Sequence, residues 1–390
     1  MEFDIVIAGA GAVGCATALA LDRLGLSVCL TDTKPFNGFS GKPAGPWDSR
    51  VYTISPGSER LLGELGAWAR LDATRLGMLY RMEVHGDTSD GEIAFDAMRA
   101  GVSHLACVVE GNRLQSALEQ EIAQRSAIRV MAPCVIESID WTFDAVRVVL
   151  GDGGSVRGQL LIGADGADSF VRSKARLGVS YASYGQGGVV ANFAADKAHD
   201  GRAFQWFRGD GVLALLPLPG RTVSMVWSTL TQNAARLCAL SEGDLAQEVR
   251  EASANVLGAL AVVTPARSFP LRQVRAGAVT GLRTVLLGDA AHCVHPLAGQ
   301  GVNLGLRDVE ALARVLGERP FGTDVGAVGL LKKYQRLRLE DTMSVFALTD
   351  GLHRLFAVDS PLIRTLRNRG MSAVDGLSVL KSALVQRALL

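Results

Sequence analysis

A strand, a tight glycine turn and a helix open the chain, and that order restricts its fold more than any other feature. Phe3-Asp4-Ile5-Val6-Ile7-Ala8 is an apolar run of strand length, followed by Gly9-Ala10-Gly11-Ala12-Val13-Gly14 and an Ala/Leu-rich helical segment to Leu24. In this context Gly9 makes the turn, Gly11 lets a pyrophosphate reach the backbone at Ala12 and Val13, and Gly14 lets helix and strand pack closely. The next strand, over 27–31, ends at Asp32. A carboxylate about 20 residues past such a turn is placed to accept from an adenosine ribose hydroxyl. A glycine turn alone is a weak signal; with strand, helix and acid all in place it predicts a dinucleotide site.

A second block carries more chemical detail. Val285 to Leu287 read as the end of a buried strand, and Gly288 and Asp289 follow at its carboxyl edge, where open α/β sheets bind ligands. After Pro296 come Gly299, Gly301 and Gly305, then a helical pattern through Leu306, Val309 and Leu312. Glycines before a helix start let backbone N–H groups meet a flat, electron-rich ligand. One acid beside a bare helix start suits a hydroxylated chain joined to an acceptor-edged ring, and FAD has both.

These two segments, with Gly163-Ala164-Asp165-Gly166-Ala167-Asp168-Ser169-Phe170-Val171-Arg172, resemble the three signatures of class A flavoprotein monooxygenases. The stretch from His295 to Asp308 is similar to the ubiquinone-biosynthesis hydroxylases of that class, as are Asp48 to Ser55, Val108 to Leu114 and Leu213 to Leu218. The resemblance implies an α/β fold, α+β overall: a Rossmann-like FAD-binding domain of the para-hydroxybenzoate hydroxylase type, a β-sheet substrate domain and a C-terminal helical region. It implies that Asp289 holds the ribityl hydroxyls, that Pro296 lies beside the reactive edge of the ring, and that Gly299, Gln300, Gly301, Val302 and Asn303 line the pyrimidine side with backbone amides. It also implies that Asp165 serves FAD and the nicotinamide donor, and that Arg50 lies near the flavin, a plain surface arginine being the alternative. Arg113 is a further candidate, with Asn112 and Gln115 able to take the same contact. Asp32 departs from the Glu of many relatives, with the same chemistry and a shorter reach.

Composition sets bounds without deciding function. With 390 residues and 48% hydrophobic content the chain can bury a sizeable core, and a net charge of +1 gives no electrostatic reason to bind nucleic acid. Cys15, Cys29, Cys107, Cys134, Cys238 and Cys293 show neither a C-x-x-C pair nor metal-ligand spacing, so no metal site is expected. A reduced, cytoplasmic protein is the simplest expectation, since the acidic start enters a strand at once and no run of 18 apolar residues exists.

The pattern predicts a discontinuous FAD-binding domain over 1–75, 104–180 and 276–324, a substrate domain over 76–103 and 181–275, and helix over 325–390. A helix is expected over 112–124, strands over 128–131, 135–141, 145–150 and 160–163, and β patterns over 189–193, 203–208, 212–217 and 222–228, with one helix over 241–257.

The implied activity is insertion of one oxygen atom from O2 into a polyprenylated phenol or quinol precursor of ubiquinone, through a flavin C4a-hydroperoxide guarded by a dry cavity. FAD is expected to be non-covalent, with NADH, NADPH or a partner protein as electron donor. No catalytic triad appears; the candidates for chemistry are His295 and Pro296, with His292 and His295 either moving a phenol proton or shaping the loop. Another aromatic substrate, or a flavoprotein that only scaffolds a biosynthetic complex, are the alternatives. Expected partners are a lipophilic aromatic substrate, a ubiquinone-biosynthesis complex, a second copy of the chain, and the inner membrane surface. For the last, Leu377, Leu380, Leu384 and Ala388 recur at helical spacing beside Arg364, Arg367, Arg369, Lys381 and Arg387.

Overall fold

The structure, a computed structural model, describes residues 1–36, 45–87, 91–294 and 300–357. At its centre five parallel strands run in the order Thr284–Leu286, Ser155–Gly163, Glu2–Ala8, Val28–Thr31 and Ile128–Met131, with Ile5 opposite both Leu160 and Val28. Ile5, Val6 and Ile7 are fully buried, which is why the first strand reads as a continuous apolar run: a parallel sheet is covered on both faces. The helices Ala12–Asp22, Gly111–Ile122 and Gln300–Gly317 cover one face through Leu19, Leu114, Leu118, Leu306 and Val309. The other face packs against an antiparallel arm, Ile136–Trp141 and Val146–Leu150, which pairs with the start of Ser155–Gly163. Cys15 and Cys29 are buried in these layers as small hydrophobes, and all six cysteines are free thiols.

A nine-stranded mixed sheet stands against this unit. Its main path runs His292–Cys293, Arg267–Ala276, Val179–Ala195, Thr222–Leu230, Gly211–Pro217, Arg202–Arg208, Arg81–His85 and Glu92–Asp96. Alternation divides its faces. Phe193, Phe204, Trp206 and Trp227 point to a core closed by the helices Thr231–Ala239 and Glu242–Ala252, each large side chain contributing roughly 1.5–3 kcal/mol by burial. Residues one position along the same strands face a cavity instead. A small third sheet, Val51–Ile54, Ala106–Glu110 and Gly77–Leu79, bridges the two units.

The structure departs from the sequence expectations at short elements. Thr231–Ala239 went unread because it buries only Ala234 and Leu237, too few apolar positions to show a period. Gly77–Leu79 pairs with Ala106–Glu110, whereas Arg81–His85 and Glu92–Asp96 join the large sheet, so pairing partners change within the 76–103 segment. The expected strand over 160–163 begins earlier, at Ser155, because its first half serves the antiparallel arm. Toward the C-terminus a helix runs Val328–Ala357; the basic apolar stripe over 361–390 lies outside the described residues. Among the described residues no helix is long and apolar enough to cross a membrane.

Candidate active site

One cavity of about 1280 Å³ runs from the first glycine turn to the free face of the nine-stranded sheet. At the turn, Gly9 has φ +101°, and a Cβ there would lie 2.3 Å from the Ala164 carbonyl oxygen. A Cβ at Gly14 would lie 1.8 Å from the Gly9 carbonyl oxygen, so helix and turn meet at a distance only glycine permits. Gly11 has open space where a Cβ would stand, and the helix begins after it with no side-chain cap. Gly9, Gly11, Ala12 and Val13 therefore present backbone to the cavity. Unsatisfied N–H groups with the positive end of the helix dipole form an anion cradle. Asp32 also lines the cavity; its carboxylate accepts from Ala10 N at 2.7 Å and Lys34 N at 2.8 Å, with lone pairs to spare.

Asp289 reaches the cavity from a turn in which Gly288 has φ +56°. Its side chain is exposed to the cavity, yet the protein packed around the site desolvates the carboxyl and raises it above the usual aspartate value, opposed by the charges of His292 and Arg50. Arg50 lines the wall with its guanidinium 5.3 Å from the Tyr52 ring centre. Asp165 accepts from Val171 N at 3.1 Å through one oxygen; its other oxygen is buried without a hydrogen-bond partner among the described residues. Gly301 and Val302 line the cavity at the start of Gln300–Gly317.

Three predicted residues shape the wall from behind rather than lining it. Gly14 and Gly288 permit close packing, and Asn303 staples its helix to the small sheet by accepting from Ser55 N and donating to Thr53 O at 2.8 Å. The Arg113 guanidinium lies against Glu110, 2.8 Å away, and the cavity is lined at that helix by Gly111, Asn112, Gln115 and Glu119. Glu110 is fully buried and also binds Arg75, so two arginines are needed to keep its charge paired. His295, Pro296, Gly299 and the Gln300 side chain lie outside the described residues.

The sequence reading missed the group beneath Asp289. Asp308 is fully buried and accepts from Gly288 N at 2.8 Å, His292 Nε2 at 2.7 Å and Arg338 Nε at 2.5 Å. Burial alone would raise its carboxyl; His292, Arg338 and these hydrogen bonds outweigh that and hold it below the usual range. Arg338 also binds Asp341 and donates to the Leu304 carbonyl oxygen, joining two helices and the Asp289 turn in one network. Arg172 is a second missed link: it donates to the Ala290 and Ala167 carbonyl oxygens, tying the Asp289 turn to the Asp165 turn. His292 thus serves this network through Nε2. Cys293 lines the cavity as a neutral thiol, its pKa pushed up to about 12 by burial.

A bare helix start, acids at the far ends of two strands and an orphaned carboxylate oxygen fit a dinucleotide whose phosphates meet backbone and whose hydroxyls meet carboxylates. These features define a dinucleotide-binding α/β protein. The FAD binding domain family matches residues 2–348. The chain is 33% identical to a ubiquinone hydroxylase of Rhodospirillum rubrum, over 99% of this chain and 89% of that one. It is 34% identical to the 3-demethoxyubiquinol 3-hydroxylase of Escherichia coli, over 99% and 98%. A probable FAD-dependent monooxygenase of Pseudomonas aeruginosa shares the fold, with a TM-score of 0.79 at 21% identity over 96% of this chain and 100% of that one. The chain belongs to the FAD-dependent monooxygenase family that contains the ubiquinone-biosynthesis hydroxylases.

Proposed function

We propose that this chain hydroxylates the aromatic ring of a polyprenylated phenol or quinol precursor of ubiquinone. The observation that carries the reading is the continuous cavity whose one end is a dinucleotide turn and whose other end is an apolar sheet face. The names of the relatives from R. rubrum and E. coli support the choice of substrate. FAD supplies the oxygen activation, with NADH or NADPH as electron source. In this reading the parallel sheet and its helices form the cofactor unit, and the nine-stranded sheet forms the substrate unit.

Each residue then has a physical task. The N–H groups behind Gly9 and Gly11, at Ala12 and Val13, hold the pyrophosphate, and Asp32 accepts from the adenosine ribose. Asp289 accepts from the ribityl hydroxyls, and Gly301 and Val302 bring the helix start to the ring, seated by Asn303. Arg50 and Asp165, which also line the cavity, would meet FAD or an incoming nicotinamide donor. Leu79, Met82, Val190, Val212 and Leu216 wall the opposite end with apolar surface. Such a wall excludes water from the reacting face, where stray water would divert the chemistry.

A lipophilic substrate also places the protein at a membrane surface or in a complex of biosynthetic enzymes, with 361–390 as the segment that meets either one. The test is deletion of the gene with mass spectrometry of the quinone pool. A prenylated precursor one oxygen short should accumulate, and the wild-type gene should clear it. An unchanged quinone pool overturns the reading.

A further inference from the structure

We infer that Gln205 is the specificity-determining residue of the substrate end, its side-chain amide reading an oxygen substituent on the ring; this rests on the function proposed above. Gln205 lies on Arg202–Arg208 with Ala214 opposite it, and Ala214 in turn faces Val226 on the next strand. All three line the cavity, so the amide rises from a wall of small apolar side chains. Most of the residue is covered, at 6% exposed, while its amide opens to the cavity and has no protein partner among the described residues. Flanking Phe204 and Trp206 turn the other way into the core, which locks the strand's facing.

An amide open to the cavity gives up its water when a ring fills that space, and leaving it unpaired then is costly, so a ligand that completes it is favoured. An amide offers two N–H donors and one oxygen acceptor, and so suits a phenol hydroxyl, a quinol or a ring carbonyl alike. Ser228, on the same face and 4% exposed, is the second polar point on this wall; its short hydroxyl reaches less far into the cavity. A site whose polar group is completed by the substrate rejects an analogue lacking that oxygen, whereas apolar walls discriminate weakly.

The test uses purified FAD-loaded enzyme titrated with a diprenylphenol and with the matching diprenylbenzene, following the flavin absorbance change. Wild type should prefer the phenol by on the order of tenfold, one hydrogen bond's worth. Gln205→Leu, of similar size, should reduce that preference to less than about twofold while FAD content stays unchanged. Gln205→Met, which also removes the amide at similar size, stands in if the leucine variant fails to fold. Full discrimination by whichever of the two folds overturns the assignment of Gln205 alone. A wild-type enzyme that binds neither compound overturns the substrate reading, and this inference with it.

Discussion

Replacing Asp308 by Asn tests whether the buried network under the cofactor end holds the Asp289 turn. The carboxylate accepts three hydrogen bonds, from Gly288 N, His292 Nε2 and Arg338 Nε. An amide of the same shape has one acceptor atom and must point its NH2 group at a donor it formerly accepted from. The Arg338 guanidinium, itself buried, then loses its deepest counter-charge and keeps Asp341 nearer the surface. Breaking one partner of a buried pair costs about 3–5 kcal/mol. Part of that loss should appear as weaker FAD binding, because Gly288 N is freed and the turn carrying Asp289 is no longer fixed. The assay is urea unfolding with and without FAD, plus an FAD titration of the apoprotein. The pH dependence supplies an independent check. Since the folded carboxyl is held below its unfolded value of about 3.9, its contribution is complete above that pH. It is lost as pH falls from there through the lower folded value, and Asp308→Asn should lack this part of the acid limb. A variant within about 0.5 kcal/mol of wild type at pH 7, with unchanged FAD affinity, would refute the reasoning.

Four further outcomes are expected. Acid precipitation of the yellow protein should leave all flavin in the supernatant, since no His or Cys stands at a position of flavin attachment in the family it resembles; colour retained in the pellet would show a covalent link. Asp289→Ala should weaken FAD binding by about 1–3 kcal/mol while circular dichroism stays native, because the ribityl hydroxyls lose an acceptor. Gly14→Ala should yield little folded or flavin-loaded protein, as the added methyl would stand 1.8 Å from the Gly9 carbonyl oxygen; normal FAD content would contradict that geometry. Co-sedimentation with anionic liposomes should drop when the chain is ended at residue 360, and equal binding by a folded, flavin-loaded truncation would assign 361–390 to packing or assembly.

Local signals in this chain were legible because their parts are contiguous. Gly9, Gly11, Gly14 and Asp32 sit within one strand–turn–helix–strand unit, so the chemistry of a turn and the reach of a carboxylate could be read without knowing what lies elsewhere. Asp289 and the helix start at Gly301 belong to a similar run, and the buried parallel strands announced themselves as unbroken apolar stretches. The same reading fell short where packing or a remote partner decides. Which of Asn112, Arg113 and Gln115 meets the cavity could not be told from the chain, because the helix face turned to it is set by packing; Asn112 and Gln115 line it. Arg338, 30 positions from Asp308 along the chain, becomes its counter-charge only when the helix Val328–Ala357 docks. Gln205 looks like any polar residue in an alternating strand; which face of that strand is dry is decided by the two helices that cover the other. Backbone chemistry at a turn is local, and the sequence by itself determined it. Burial, charge pairing and the composition of a cavity wall depend on which distant surfaces meet, and only the tertiary structure decided them.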